Sequence, residues 1–327
     1  METYEGAYIG KSVLVTGAAG AIGSNLCKSL VLLGARVLAF DDLSASAEWN
    51  VPPGTIFVRG DILDESKLSF IFGENPTMVF HLAAFFANQN SVEHPERDLM
   101  VNGMGTLRVL EYAQRFGVER FVYGSTSTLY DGIETTASLQ SPRSRLTSPY
   151  QISKMLGEKY CTFFNEHYGL KVVKTRFFNS FGPGEIPGKY RNVIPNFIYL
   201  ALKEQPLPIT GTGDETRDFT YVDDIVDGLL RSGFHDSAIG QELSLASGIE
   251  TKIGELAGLI NDAVGSSAGI RYQPRRLWDQ QNRRRGSTDY ARQTIGYESR
   301  TSLSKGLHNT VRWFKDNWTD IEATARF

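Results

Sequence analysis

Cysteine is scarce: two in 327 residues, Cys27 and Cys161, with no CxxC pair. That leaves neither a disulfide framework nor a cysteine zinc site, and it fits a reducing compartment. The five histidines, His81, His94, His167, His235 and His308, are scattered with no pair at ligand spacing, so no metal is expected. Charge of one sign is lacking too. Lys and Arg number 34 against 37 Asp and Glu, a formal net charge of −3. This argues against a nucleic-acid partner or a polybasic membrane anchor. The one dense basic run, Arg283-Arg284-Arg285, reads on its own as a solvated face. No apolar run approaches the roughly 18 residues of a membrane span, and no apolar leader precedes the first strand. A cytoplasmic protein is the expectation. Internal repeats and low-complexity segments are likewise missing.

What is present is globular: 41% hydrophobic and 22% charged residues, on a chain long enough for about two domains. Apolar strand runs at Ser12–Thr16, Arg36–Phe40, Ile56–Arg59, Met78–Leu82 and Arg120–Gly124 alternate with helical patterns near Ala21–Leu33, Ser66–Phe72 and Asp98–Phe116. The strands are continuously apolar, as in Val13-Leu14-Val15, which predicts a parallel sheet covered on both faces. A helix is predicted over Pro149–Tyr168, with Ser148 as N-cap, Pro149 at the first position and Gly169 at its stop. Lys171–Phe177 reads as a further strand. Beyond Asn179, Gly182-Pro183-Gly184 and Pro187-Gly188 mark a loop, and shorter mixed elements follow. The expected fold class is α/β. Residues 1–179 form a doubly wound domain with part of the later chain woven in, and 180–327 form a smaller mixed α/β substrate domain.

The first strand runs into Gly17-Ala18-Ala19-Gly20-Ala21-Ile22-Gly23, and a helix follows. Glycines spaced this way permit a tight turn and close backbone approach to a diphosphate at the positive end of a helix. A glycine triplet alone is weak evidence in a chain with 32 glycines, but strand before and helix after are the context it requires. The second strand ends in Asp41-Asp42, with Asp41 placed 18 residues past Gly23 (41 − 23), near the roughly 20 expected of a ribose-binding acid. A carboxylate there accepts hydrogen bonds from ribose hydroxyls and would repel a 2′-phosphate. NAD is therefore expected over NADP. Asp61, after the third strand, is placed to meet the adenine, with a helix N-cap as its bland alternative.

Tyr150-Gln151-Ile152-Ser153-Lys154 puts a phenol and an ammonium on one helix face. An ammonium nearby is expected to lower the tyrosine pKa from about 10 and make it a general base. Tyr199 to Lys203 matches the same spacing. Position separates them: Tyr150 opens a helix after the fifth strand, whose carboxyl end carries Gly124-Ser125-Thr126-Ser127, where an open α/β sheet binds ligands. Tyr199 lies on a helix whose face Ile194, Phe197, Ile198 and Ala201 reads as structural.

The stretches TGAAGAIGSNL, HLAA, GSTSTLY, SPYQISK, RFFNSFGPGE and RDFTYVDDIVDGL, in this order, resemble the extended short-chain dehydrogenase/reductase family, and within it the nucleotide-sugar 4-epimerases. The resemblance runs from Val13 to about Trp313. It implies bound NAD, a nucleoside-diphosphate sugar held by the C-terminal half, and catalysis by Thr126, Tyr150 and Lys154. It places Ile22, Ile62, Leu82, Ala83, Ala84, Asn102, Ser125, Phe177 and Phe178 beside the cofactor. Substrate contacts fall to Asn179, Val193, Arg217, Arg276 and Asp279, with both arginines on the diphosphate and Asp279 on a ribose. It further implies a homodimer through the two long helices. Two departures stand out: Phe86 replaces a lysine that some epimerases carry, and Gln280–Ser287 is extended, which leaves open which of Arg283, Arg284 and Arg285 faces substrate.

Sugar 4,6-dehydratases carry Asp and Glu just after the threonine, and UDP-glucuronate decarboxylases a Glu. Here Ser127 and Thr128 stand there, and neither ionises near neutral pH. Epimerisation at C4, of a UDP-sugar by the resemblance, is the expected reaction. A 4-keto-sugar reductase is the alternative enzyme, and a non-catalytic NAD-binding module the alternative of another class.

Overall fold

The computed structural model describes residues 3–130, 146–275 and 282–327. Its centre is a parallel sheet built from β1 (Ser12–Thr16), β2 (Arg36–Asp41), β3 (Ile56–Arg59), β4 (Met78–His81), β5 (Arg120–Thr126) and β6 (Val172–Phe177). A seventh strand, Glu242–Leu245, arrives from far along the chain and pairs with β6. The spatial order is β3, β2, β1, β4, β5, β6 and then Glu242–Leu245. The order reverses between β1 and β4, and in such sheets the crevice outside the strand ends at that reversal is where ligands bind.

Both faces of the sheet are covered because its strands are apolar on both sides. Val13, Val15, Val37 and Val122 pack into one layer with the helix Ala21–Leu32 (α1) and the helix Val222–Phe234. Leu14, Leu38, Phe121 and Tyr123 pack into the other layer with the helices Glu65–Gly73, Thr106–Arg115 and Pro149–Tyr168. A third core unites the helices Val193–Leu202, Ile253–Val264 and Leu303–Asp316. This is the Rossmann-like α/β architecture that the strand and helix patterning predicts.

Local signals account for several element ends. The Ser148 side chain accepts from the Gln151 N–H, and Gly169 closes the helix Pro149–Tyr168 at φ +70°. The N-cap of Glu65–Gly73 is Asp64, not Asp61; its carboxylate takes the Ser66 and Lys67 N–H groups. The expected helix Asp98–Phe116 is not uniform. Pro95–Asp98 leads into a π-helical turn over Leu99–Gly105 before Thr106–Arg115 continues as α-helix. Among the described residues, no helix is long and apolar enough to cross a membrane.

Candidate active site

At the carboxyl ends of the strands lies a cavity of about 570 Å³. Its floor is the glycine loop. Gly17 has φ +71°, and a Cβ there would stand 2.7 Å from the Ala83 nitrogen. A Cβ on Gly23 would stand 2.0 Å from the Gly17 carbonyl oxygen, which is backbone and cannot yield. Both positions therefore exclude any side chain. α1 begins here without a side-chain cap and with no acid in its first turn, and its first residues Ala21, Ile22 and Gly23 line the cavity. Gly20 and Ile22 line the same floor.

Asp41, at the end of β2, is buried. Its carboxylate accepts from the Ala19 N–H at 3.0 Å, the Leu43 N–H at 2.8 Å and the Ser46 hydroxyl at 3.1 Å. Burial raises its pKa, and those three hydrogen bonds oppose the rise. Asp42 turns to Ser44. Asp61 also borders the cavity with Ile62, and it pairs with Arg97 at 3.0 Å. Across the floor, the Thr16 hydroxyl bonds His81 Nδ1 at 2.7 Å and accepts from the Ala83 N–H at 3.2 Å. His81 Nε2 meets the Thr106 hydroxyl at 3.1 Å. Burial, helped by the nearby Lys154, depresses the His81 pKa to about 3, so the ring is neutral and acts as a spacer. This network fixes the Leu82-Ala83-Ala84 wall. A glycine floor that no Cβ could occupy, an open helix end and a carboxylate at the second strand fit a dinucleotide.

The catalytic group stands on β5 and the helix Pro149–Tyr168. Tyr150, Thr126 and Lys154 are all buried at the cavity. Tyr150 hydrogen-bonds Thr126, whose hydroxyl also meets that of Thr128 at 3.1 Å. The Phe86 ring stands edge-on to Tyr150, 6.2 Å between centroids. Lys154 Nζ donates to the Gly124 carbonyl at 2.5 Å and lies 4.4 Å over the Tyr123 ring. Burial lowers the Lys154 pKa to about 8, against the opposing pull of Cys161, Glu158 and Asp98. The expectation that Lys154 depresses the Tyr150 pKa is corrected here. Burial pushes the phenol well above its ordinary value, the Asp98 charge adds to this, and only the Thr126 hydrogen bond opposes it. Desolvation of the phenolate outweighs the nearby ammonium, which is engaged with a backbone carbonyl.

Ser125 lines the cavity and donates to Glu158 at 2.6 Å. Phe177, Phe178, Asn179, Val193 and Arg217 form the opposite wall. Asn179 donates its amide to the Asp218 carbonyl at 3.1 Å, and Arg217 donates to the Thr216 carbonyl at 2.9 Å. Of the three adjacent arginines, Arg284 reaches the cavity, whereas Arg283 pairs with Glu250 and Arg285 donates to the Gly248 carbonyl. Arg276 and Asp279 lie outside the described residues.

Asn102 departs from its expected place beside the cofactor. It is buried behind the wall. Its carbonyl accepts from the Phe85 N–H at 2.8 Å, while its amide donates to the Phe85 carbonyl at 3.1 Å and to Asp98 at 2.8 Å. It braces the wall from behind, from within the π-helical turn. The second YxxxK pair is structural: Tyr199 stacks on Trp318 and Phe327 at 5.3 and 5.0 Å between centroids, with Lys203 over the ring. Among the cavity residues to which the sequence analysis gives no role are Glu185, which ends the stretch RFFNSFGPGE, and Arg191. They sit in an ordinary Gly- and Pro-rich loop, and only the fold carries them to the glycine loop.

A parallel doubly wound sheet with a glycine loop, a ribose-side acid and a buried Thr-Tyr-Lys group defines a Rossmann enzyme of the short-chain dehydrogenase/reductase type. The model of the NAD dependent epimerase/dehydratase family matches residues 13–243, and the chain belongs to that family. It is 32% identical over 309 residues, 93% of this chain and 98% of the relative, to a UDP-glucose 4-epimerase of Mycolicibacterium smegmatis. Among solved structures, epimerase Mth375 of Methanothermobacter thermautotrophicus shares 52% identity at a TM-score of 0.96, covering 98% of this chain and 97% of that one. The Bordetella bronchiseptica enzyme WbmF, solved with NAD+ and UDP, shares 35% identity at a TM-score of 0.84, covering 97% and 96%. The cofactor is NAD, and the chain is an NAD-dependent enzyme of the epimerase/dehydratase type.

Proposed function

We propose that this enzyme inverts the configuration at C4 of a UDP-sugar. The observation that carries the reading is the composition of the catalytic wall: Thr126, Tyr150 and Lys154 meet at the cavity, and their neighbours Ser127 and Thr128 are neutral hydroxyls. NAD, when bound, would supply the acceptor for the C4 hydrogen with its electron pair and the donor that returns it, and a positive charge that would favour the Tyr150 phenolate. Tyr150 takes the proton of the C4 hydroxyl, and Thr126 holds that hydroxyl in line through its bond to Tyr150. Lys154 supplies positive charge behind them. Arg217 and Arg284 would grip the diphosphate, since a guanidinium fork matches paired anionic oxygens. With the diphosphate fixed and the ring free to turn, the 4-keto sugar presents its other face, and Tyr150 returns the proton.

Elimination of water would need an acid for the C6 hydroxyl and a base for the C5 proton, and loss of carbon dioxide from a uronate would need a carboxylate. Serine and threonine supply none of these at neutral pH. The product should have the mass of the substrate. Holoenzyme is incubated with UDP-, dTDP-, GDP- and CDP-sugars in heavy water, returned to light water and read by chromatography and mass spectrometry. A new peak of unchanged mass with no deuterium at carbon is expected, from the UDP-sugar. A product lighter by water or carbon dioxide, or net consumption of NADH, would overturn the reading.

The same proposal includes a homodimer. Leu99, Met100 and Met104 of the π-turn and Ile152 and Phe163 of the helix Pro149–Tyr168 are exposed apolar side chains on two neighbouring helical segments. Pairing them with a second copy would remove that surface from water. Light scattering at micromolar concentration should give twice the chain mass of 36.4 kDa, and a monomer there would refute it.

A further inference from the structure

The loop between β6 and the helix Val193–Leu202 reaches back to the glycine turn. Asn25 donates to the Pro183 carbonyl at 2.8 Å, and Asn50 donates to both the Ala19 and Gly184 carbonyls, at 2.7 and 2.9 Å. The loop's far end is also tied: Lys189 N–H donates to the Arg326 carbonyl at 2.7 Å, and Asn196 exchanges two hydrogen bonds with the Gly188 backbone. Lys189 and Tyr190 both reach Glu93, at 3.1 and 2.6 Å. This loop is therefore anchored on both sides of the cavity.

Two of its side chains enter the cavity with bonding capacity left over. Glu185 is 5% exposed. Its Oε1 accepts from the Asn192 amide at 2.7 Å, and its Oε2 has no partner. Arg191 is partly buried and lies within electrostatic reach of Glu185 and Asp41, yet among the described residues its guanidinium forms no ion pair or hydrogen bond. A guanidinium has five donors in a rigid fork, and withdrawing it from water unpaired is costly. At the same cavity, α1 offers an open amino end worth about half a charge, and the glycine loop holds no basic residue. A diphosphate set there would find no counter-charge in the glycine loop itself, whereas Arg191 brings one to the same cavity without a partner of its own among the described residues.

We propose that Arg191 binds the diphosphate of NAD, opposite the amino end of α1, and that the anchored loop carrying it retains the cofactor. Glu185 and Asp41 lie within electrostatic reach of the guanidinium, and all three residues line the cavity. Burial pushes the Glu185 carboxyl up to about 7, so near neutral pH it sets less than a full charge against the anion. This assignment concerns the cofactor and is independent of which sugar reaction follows.

The test uses the holoenzyme. NAD release is followed by exchange with isotope-labelled NAD, and UDP binding by titration calorimetry, in the parent, Arg191→Ala and Arg191→Lys. One lost charge-assisted pair is expected to speed release about 10- to 100-fold in Arg191→Ala, with UDP affinity within about twofold of the parent. Purification of that variant depleted of NAD counts as the same result. Arg191→Lys should fall between, because it keeps the charge and loses the fork. Parent-like release from Arg191→Ala overturns the assignment. So does a loss confined to UDP affinity, which would place the guanidinium on the substrate. Should Arg191→Ala not fold, parent-like release from Arg191→Lys overturns it.

Discussion

Tyr150→Phe is expected to lower turnover by about 10²- to 10⁴-fold, the range typical of a lost general acid–base. The substitution keeps the ring that meets Phe86 edge-on and removes only the hydroxyl bonded to Thr126. UDP-sugar affinity should therefore barely change, so the loss falls on kcat. NAD content should also hold, because the glycine floor and Asp41 are untouched. Tyr199→Phe is the matched control. It removes the same atom from the other YxxxK pair, whose ring is packed between Trp318 and Phe327, and should turn over as the parent does. Steady-state kinetics on both variants decides. Parent-like turnover by Tyr150→Phe would remove this residue from the chemistry.

A second large effect is expected beneath the site. Arg176 on β6 is fully buried. It meets both oxygens of Glu158, at 2.8 and 2.6 Å, the Tyr130 hydroxyl at 2.7 Å and Glu242 at 2.8 Å. Arg176→Met would leave Glu158, itself 2% exposed, as a buried charge without its cation. Breaking a buried pair from one side costs about 3–5 kcal/mol, a large share of the 5–15 kcal/mol typical of a folded protein. Urea unfolding should show that loss. Adding Glu158→Gln to Arg176→Met removes both charges and should recover much of it. A single variant within about 0.5 kcal/mol of the parent would show that the network contributes little.

The parts of this molecule legible in the sequence are those written in short range. The strand, glycine turn and helix at Ser12–Leu32 form one continuous local pattern, and Tyr150 and Lys154 are four residues apart on one helix. Order along the chain was enough to prefer Tyr150 over Tyr199. What was illegible depends on distance or on burial. Arg176, Glu158 and Glu242 carry no mark of partnership, because strand pairing and helix docking bring them together. Arg191 sits in a loop whose glycines and prolines announce a turn but not its destination. The resemblance puts Asn102 beside the cofactor, and a residue that braces a wall looks the same in sequence as one that faces the cavity. The direction of the Tyr150 pKa shift is illegible in the sequence because the charge of Lys154 is visible in a motif, whereas the burial that raises the pKa is not.

The late strand Glu242–Leu245 bears on how the protein is made. The ribosome delivers β6 long before its neighbour, and until then β6 is an open sheet edge. During that interval Arg176 has no Glu242, and the buried row Val172–Arg176 is a template for pairing with another nascent chain. Completion of the nucleotide-binding sheet is thus deferred until residue 245 has emerged, 68 residues after the end of β6 (245 − 177). A fragment ending at residue 179 would carry the glycine loop, Tyr150 and Lys154, yet would present that unprotected edge permanently.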